Sequence, residues 1–181
     1  MFGFEIKGLK VVALSDTHAR HRTLSVPACD VLVHAGDACN LGNKEQLKDF
    51  FDWYQAQPAR YKIFVAGNHD TLFETANQEL ENMIPKSVIY LENNLIEIEG
   101  VTFASIAARP KLKCFIEYEP IDVLVTHGAP FGIQDEEGKG CKDLAKQILL
   151  IEPQYALFGH RHKGNKSPLR IGKTIYVNIT L

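Results

Sequence analysis

Long apolar runs are missing from this 181-residue chain: no stretch approaches the roughly 18 residues that a membrane helix needs. No secretory leader is recognisable at its start, so the expected location is cytoplasmic. Without secretion, the glycosylation acceptor Asn178-Ile179-Thr180 is read as idle. Basic stripes and basic tails are lacking too. Lys and Arg number 20 against 22 Asp and Glu, a formal net charge of -2, so neither a nucleic-acid polymer nor a membrane surface is expected as partner. Cysteine is sparse, and Cys29, Cys39, Cys114 and Cys141 form no C-x-x-C pair. That excludes a zinc knuckle or a disulfide frame and leaves reduced thiols. No repeat, low-complexity tract or linker interrupts the chain, so residues 1–181 are read as a single domain able to bury a core without disulfides.

What is present is a set of short, continuous apolar runs at residues 10–15, 30–35, 61–66, 121–126 and 155–158. Their length and their Val, Ile and Leu content predict strands buried on both faces. The first ten residues are read as running straight into the first of them. Helical periodicity alternates with these runs. Asn43 is placed to cap a helix carrying Leu47, Phe50, Phe51 and Tyr54, with Gln46 set for a capping box. Further helices are predicted over 71–83 and 140–151, stopped by Pro85 and Pro153. Hairpins are expected around Gly100 and around Gly172-Lys173. Alternating strands and helices with added hairpins predict an α/β layered sandwich with mixed sheets, whose reactive groups gather beyond the carboxyl ends of the parallel strands.

Each strand-like run is followed by a polar cluster. In order these are Asp16-Thr17-His18, Gly36-Asp37, Gly67-Asn68-His69-Asp70, Thr126-His127-Gly128 and Gly159-His160-Arg161-His162. Alone, each is weak, since Gly-Asp also marks turns and Gly-His-Arg-His could be a solvated loop. Together, at five strand ends, they supply carboxylate, amide and imidazole groups enough for two metal ions. Asp16 and His18, two residues apart on an extended segment, would point the same way. Asp37 is suited to lie between two ions, and Asn68, His127, His160 and His162 add further ligands. Such mixed donors suit manganese, iron, zinc or nickel better than calcium or magnesium. Two ions about 3.5–4 Å apart can clamp a phosphoryl group.

This ordered set resembles the calcineurin-like metallophosphoesterase superfamily over residues 11–178. Its local wording is similar to a small branch that includes the metallophosphoesterase-domain proteins. The resemblance implies a sandwich of two mixed β-sheets flanked by helices. It also implies a phosphoester hydrolase, most simply a phosphodiesterase, using a hydroxide held between two divalent ions. Asp16, His18, Asp37 and His162 would hold one ion, and Asp37, Asn68, His127 and His160 the other. His69 would be the general acid and Asp70 would orient it. The implied substrate is a small phosphoester, with cyclic nucleotides among the candidates, and Asn68 would also touch it. Some animal members of the branch carry Gly where this chain has His160, so the second site is intact here. The family's Trp- and Pro-rich insert is reduced to residues 108–113, which leaves substrate identity and oligomeric state open.

A phosphomonoesterase and a non-catalytic binding scaffold remain as alternatives. A metallo-β-lactamase-like hydrolase is disfavoured, because the only H-x-H is His160-Arg161-His162. Arg20 and Arg161 are candidates for gripping a substrate phosphate, although surface Arg is the default. His21 is expected to face solvent, and His34 to be a hydrogen-bonded core histidine beneath the site. The aromatic set Phe50, Phe51 and Tyr54 fits a packing face, which leaves Trp53 unaccounted for.

Overall fold

The computed structural model describes residues 1–74, 78–109, 111–112 and 120–181. Two sheets face each other. The first has β1 (Phe2–Ile6), β2 (Leu9–Leu14), β3 (Cys29–His34), β4 (Ala59–Phe64) and β5 (Val88–Tyr90) in that spatial order. Strands β2 to β5 are parallel and β1 is antiparallel. The second sheet uses β6 (Asn94–Ile98), β7 (Val101–Ser105), β8 (Val123–Thr126), β9 (Tyr155–Phe158), β10 (Leu169–Ile171) and β11 (Thr174–Asn178). Its order is β10-β11-β9-β8-β7-β6, with the four central strands parallel and both edges antiparallel.

Strand alternation explains the layering. On β2 and β3, Val11, Ala13, Val31 and Val33 point into the core between the sheets, where they meet Phe103, Val123, Val125, Leu157 and Val177. The intervening Val12, Leu14 and Leu32 face outward and are covered by Leu47, Phe50, Phe51 and Tyr54 of α1 (Lys44–Gln55). Across the molecule, α3 (Lys142–Ile151) lays Leu144 and Ile148 on Ala104, Leu124 and Phe158. The order is therefore helix, sheet, sheet, helix, the α/β sandwich of two mixed sheets that the sequence implied. Among the described residues no helix is long and apolar enough to cross a membrane.

Several local expectations change. The first ten residues form a hairpin, not one strand, turning at Lys7 (φ 47°) and Gly8 (φ 86°). Asn43 caps α1 by accepting from the Gln46 N–H at 2.9 Å, but Gln46 Oε1 accepts from Asn40 N–H and not from Asn43, so the box closes three residues upstream. The helix expected over 71–83 is divided into a 3-10 turn, Thr71–Glu74, and α2 (Gln78–Met83), with residues 75–77 outside the described residues. The turn forms because Phe73 N–H bonds back to the carbonyl of Asp70, anchoring it to the preceding loop. The helix expected from 140 starts at Lys142, because the Cys141 sulfur accepts from Leu144 N–H while Asp135 holds Gly140 N–H. Trp53 is accounted for: it is buried, with its ring 5.3 Å from that of His21.

Candidate metal centre

All five polar clusters leave parallel strands at one end of the two sheets. Their loops pair with one another beyond the strands. Asp16 N–H donates to Gly36 carbonyl (2.8 Å), His18 N–H to Asp37 carbonyl (3.0 Å) and Ala19 N–H to Ala38 carbonyl (3.0 Å). This pairing holds Asp16, His18, Ala19 and Asp37 at φ of 58°, 42°, 60° and 57°, a left-handed region that side chains seldom adopt. Such strain gathered in one place is typical of a functional site. It also corrects the expected extended Asp16-x-His18 segment. The two side chains meet through a left-handed loop, with His18 Nε2 3.9 Å from Asp16 Oδ1.

Close approach of the loops demands small residues. A Cβ on Gly159 would stand 2.5 Å from Asp16 Oδ2, so only glycine lets the next residue, His160, donate its N–H to that carboxylate at 3.0 Å. Gly36 is under the same constraint, since its Cβ would lie 2.5 Å from Gly67 N and 2.8 Å from His127 Nδ1. These contacts bring ligand-bearing loops from both sheets into register.

The side chains converge in three overlapping triads, one of them His18, Asp37 and His69, and the other two carry the expected ligands. Ligand atoms of Asp16, His18 and His162 lie within 4.8 Å of one another, as do those of Asp37, His127 and His160. Asp37 links them, with Oδ2 3.7 Å from His18 Nε2 and Oδ1 3.4 Å from His127 Nε2. Asn68 Oδ1 lies 2.9 Å from His127 Nε2. His69 stands at the rim, its Nε2 3.9 Å from Asp37 Oδ2 and its side chain 33% exposed, and His162 is 47% exposed. The centre therefore opens to solvent on the His69 and His162 side.

The donor set suits a cation. His127 is buried, and its Nδ1 lies 2.8 Å from the Ala35 carbonyl, an atom that only accepts. Nδ1 must then carry hydrogen, leaving Nε2 to face two oxygens, Asn68 Oδ1 and Asp37 Oδ1. A bare lone pair there would oppose both oxygens, so a proton or a metal ion has to lie between them. Burial alone would push His127 down, but Asp37 overrides it and raises the group to about 9. Conversely burial would push Asp37 up, and His127 holds it at about 2. The same carboxylate-imidazole space that traps a proton is the space a divalent ion would claim. His160, by contrast, is driven down to about 4 by burial and by the neighbouring His127, and so offers a neutral lone pair.

Other expectations fare differently. Asp70 does not reach the His69 ring, whose Nδ1 has no hydrogen-bond partner. Its fully buried carboxylate instead accepts from Asp37 N–H (2.8 Å), Gly67 N–H (2.9 Å), Ala38 N–H (3.0 Å) and Cys39 N–H (3.1 Å). Four converging backbone donors outcompete one imidazole, so Asp70 braces the loops and does not orient the acid. Arg161 gives its guanidinium to the Lys139 carbonyl, while Arg20 is exposed and lines a pocket with Thr17, Thr23, Leu24 and Leu181. Neither is directed at the centre by any described bond. His21 is buried, not solvent-facing, with Nε2 2.9 Å from Asp49 Oδ2. His34 is the expected core histidine: Nδ1 accepts from Gly36 N–H and Nε2 meets Thr17 Oγ1 at 3.1 Å. Of residues 108–113, read as a substrate wall, 110 and 113 lie outside the described residues, and Arg109 turns inward. The sequence also gave no sign of Ser15, whose hydroxyl donates to Asp16 Oδ2, or of Asp135, which gathers the N–H groups of Gly132, Gly138 and Gly140.

The calcineurin-like phosphoesterase superfamily domain matches residues 9–179. A UPF0046 protein of Caenorhabditis elegans is 35% identical over 201 residues, covering 94% of this chain and 69% of its own length. Metallophosphoesterase domain-containing protein 1 of Homo sapiens is 28% identical over 215 residues, covering 95% of this chain and 66% of itself. The chain thus spans about two thirds of the length of these curated relatives. Among solved structures, Phosphopantetheinyl Hydrolase from Mycobacterium tuberculosis superposes with a TM-score of 0.65 at 15% identity, over 94% of this chain and 88% of that one. A Thermus thermophilus protein, TT1561, gives 0.64 at 14% identity, over 93% and 87%. At such identity the likeness to these structures is one of fold.

Proposed function

From the premise that the chain belongs to the calcineurin-like phosphoesterase superfamily, we propose that it is a metal-dependent phosphodiesterase with a two-ion centre acting on small phosphoesters. The observation that carries this reading is the meeting of seven ligand side chains, Asp16, His18, Asp37, Asn68, His127, His160 and His162, in two groups joined by Asp37. In this reading Asp16, His18 and His162 hold one ion, Asn68, His127 and His160 hold the other, and Asp37 bridges. Their mixture of imidazole, amide and carboxylate donors suits manganese, iron, zinc or nickel, and manganese is the ion to try first. When bound, two such ions lower the pKa of a coordinated water and clamp phosphoryl oxygens.

The protein's own groups supply the remainder. Asp70 and the paired loops hold the ligands in place before substrate arrives. His69, half-buried at the open edge with Nε2 facing the centre, is placed to give a proton to the departing oxygen. A diester fits better than a monoester because a dianionic phosphate is usually matched by an Arg fork. Arg109, Arg161 and Arg22 are engaged by Glu92, the Lys139 carbonyl and Asp49, while the exposed Arg20 lines a pocket with Thr17, Thr23, Leu24 and Leu181 and no described bond directs it at the centre. Cyclic nucleotides are the small diesters to try first, and a cytoplasmic location is part of the same reading.

Stripping the metal and then comparing bis(p-nitrophenyl) phosphate with p-nitrophenyl phosphate, with and without added manganese, tests the proposal. Turnover should vanish on stripping, return with manganese and favour the diester. A preference for the monoester would reverse the substrate class. Turnover that survives both stripping and Asp37→Ala would end the metal reading, and none with any metal or ester would leave a binding scaffold.

A further inference from the structure

We infer that Arg109 is a positioning residue for the Asn68 and His127 half of the centre. The inference rests on the two-ion reading above. Arg109 follows β7 in the second sheet, yet its side chain is only 3% exposed and crosses to the first sheet. There its Nε–H donates to the carbonyl of Ala66 at 3.0 Å, one peptide ahead of Gly67-Asn68. The other end of the fork is locked: one terminal nitrogen donates to the Tyr90 hydroxyl at 3.1 Å and pairs with the carboxylate of Glu92. Tyr90 in turn donates its hydroxyl hydrogen to the other oxygen of Glu92.

The backbone beside Arg109 does the complementary task. Ala108 carbonyl accepts from Gly128 N–H at 2.6 Å, and Gly128 is the residue after His127. Ala107 N–H donates to Asn93 Oδ1 at 2.8 Å, which steadies the same segment. Residues 107–109 therefore grip the Asn68 loop of one sheet and the His127 loop of the other. The two ligands so gripped face each other at 2.9 Å, Asn68 Oδ1 to His127 Nε2. Loops carrying Asp16, His18 and His162 are tied by other bonds, among them Asp16 N–H to Gly36 carbonyl and Asn178 Nδ2 to Arg161 carbonyl. None of Arg109's described bonds reaches them.

A buried ion pair is a poor means of gaining stability, because desolvation offsets most of its attraction. A planar fork that fixes one carbonyl while anchored at its far end is a good means of fixing geometry. Lysine could keep the charge but not both ends of the bond.

Calorimetric titration of the metal-stripped protein with manganese, alongside thermal unfolding, tests the inference. Wild type should bind two ions. Arg109→Met, which keeps the apolar stem, should weaken one of the two by about 10-fold or more and leave the other unchanged, as removal of a group that orients ligands does. Arg109→Lys should lose an intermediate amount and stands in if the Met variant fails to fold. Glu92→Gln, with the bond to Ala66 retained, should lose least. Equal weakening of both ions would mean general loosening, and unchanged binding in Arg109→Met would mean no role; either overturns the inference while leaving the two-ion reading intact. Wild type that binds a single ion, or none, would remove that reading and the inference with it.

Discussion

Replacing Asp70 by Asn is the most searching perturbation of the centre, because it changes one atom where no solvent can compensate. Oδ2 of Asp70 accepts from Asp37 N–H and Gly67 N–H, and Oδ1 accepts from Ala38 N–H and Cys39 N–H, with the Cys39 thiol 3.4 Å away. Every neighbour is a donor. Asn has one accepting oxygen, so its NH2 group confronts either the Asp37 and Gly67 N–H groups or those of Cys39 and Ala38. Because Ala38 N–H also lies 3.3 Å from Oδ2, one or two backbone donors lose their partner. Each unsatisfied buried donor costs about 1–3 kcal/mol, hence about 1–3 kcal/mol for one and about 2–6 kcal/mol for two. That is a large part of the roughly 5–15 kcal/mol by which domains are stable. In a chain of 181 residues it corresponds to a fall on the order of 10 °C in Tm. Urea unfolding of metal-stripped Asp70→Asn beside wild type measures it directly. Were Asp70 instead an orienter of the His69 ring, the same variant would keep its stability and lose only turnover. A free energy of unfolding within about 0.5 kcal/mol of wild type, the usual span of inconsequential substitutions, would refute the bracing argument.

Two further outcomes are expected. His69→Ala should lose about 100-fold or more on esters with alkoxide leaving groups, which need a proton, and little on nitrophenyl esters, which do not; equal losses on both would remove His69 from the acid role. Burial holds His34 at about 3, far below the ordinary value of 6.5, so the folded protein keeps it neutral while acid protonates the unfolded chain. Its contribution is present above pH 6.5 and is lost as pH falls toward 3. Between pH 7 and 5 this group should withdraw about 2 kcal/mol of stability from the metal-stripped protein, a fall that His34→Gln should lack in denaturant titrations. An identical acid slope in both proteins would show His34 to be no such burden.

Legibility in the sequence followed the range of the forces involved. The strands at β2, β3, β4, β8 and β9 were readable because their carboxyl-terminal residues are buried on both faces and mainly apolar. Strands β1 and β5 were not. One is an edge strand with alternating exposure and the other has only three residues, too few to establish a period. The helix over 71–83 failed for a different reason: apolar spacing takes no account of Asp70, whose backbone carbonyl captures Phe73 N–H and whose side chain fastens the turn to Gly67.

By itself the sequence determined which residue types stand at the five strand ends, and hence the chemistry on offer: carboxylate and amide oxygens and imidazole nitrogens, with no C-x-x-C pair and no basic stripe. That much is local, since an apolar run followed by a polar cluster can be read within ten residues. Only the tertiary structure decided that Asp70 faces four backbone donors and not His69, that His21 is buried, and that Arg109 reaches from one sheet to the loop of the other. Those outcomes depend on which side chains from distant segments meet in a space closed to water. There an unpaired polar group costs enough to redirect a carboxylate or a guanidinium toward whatever partner the packing supplies.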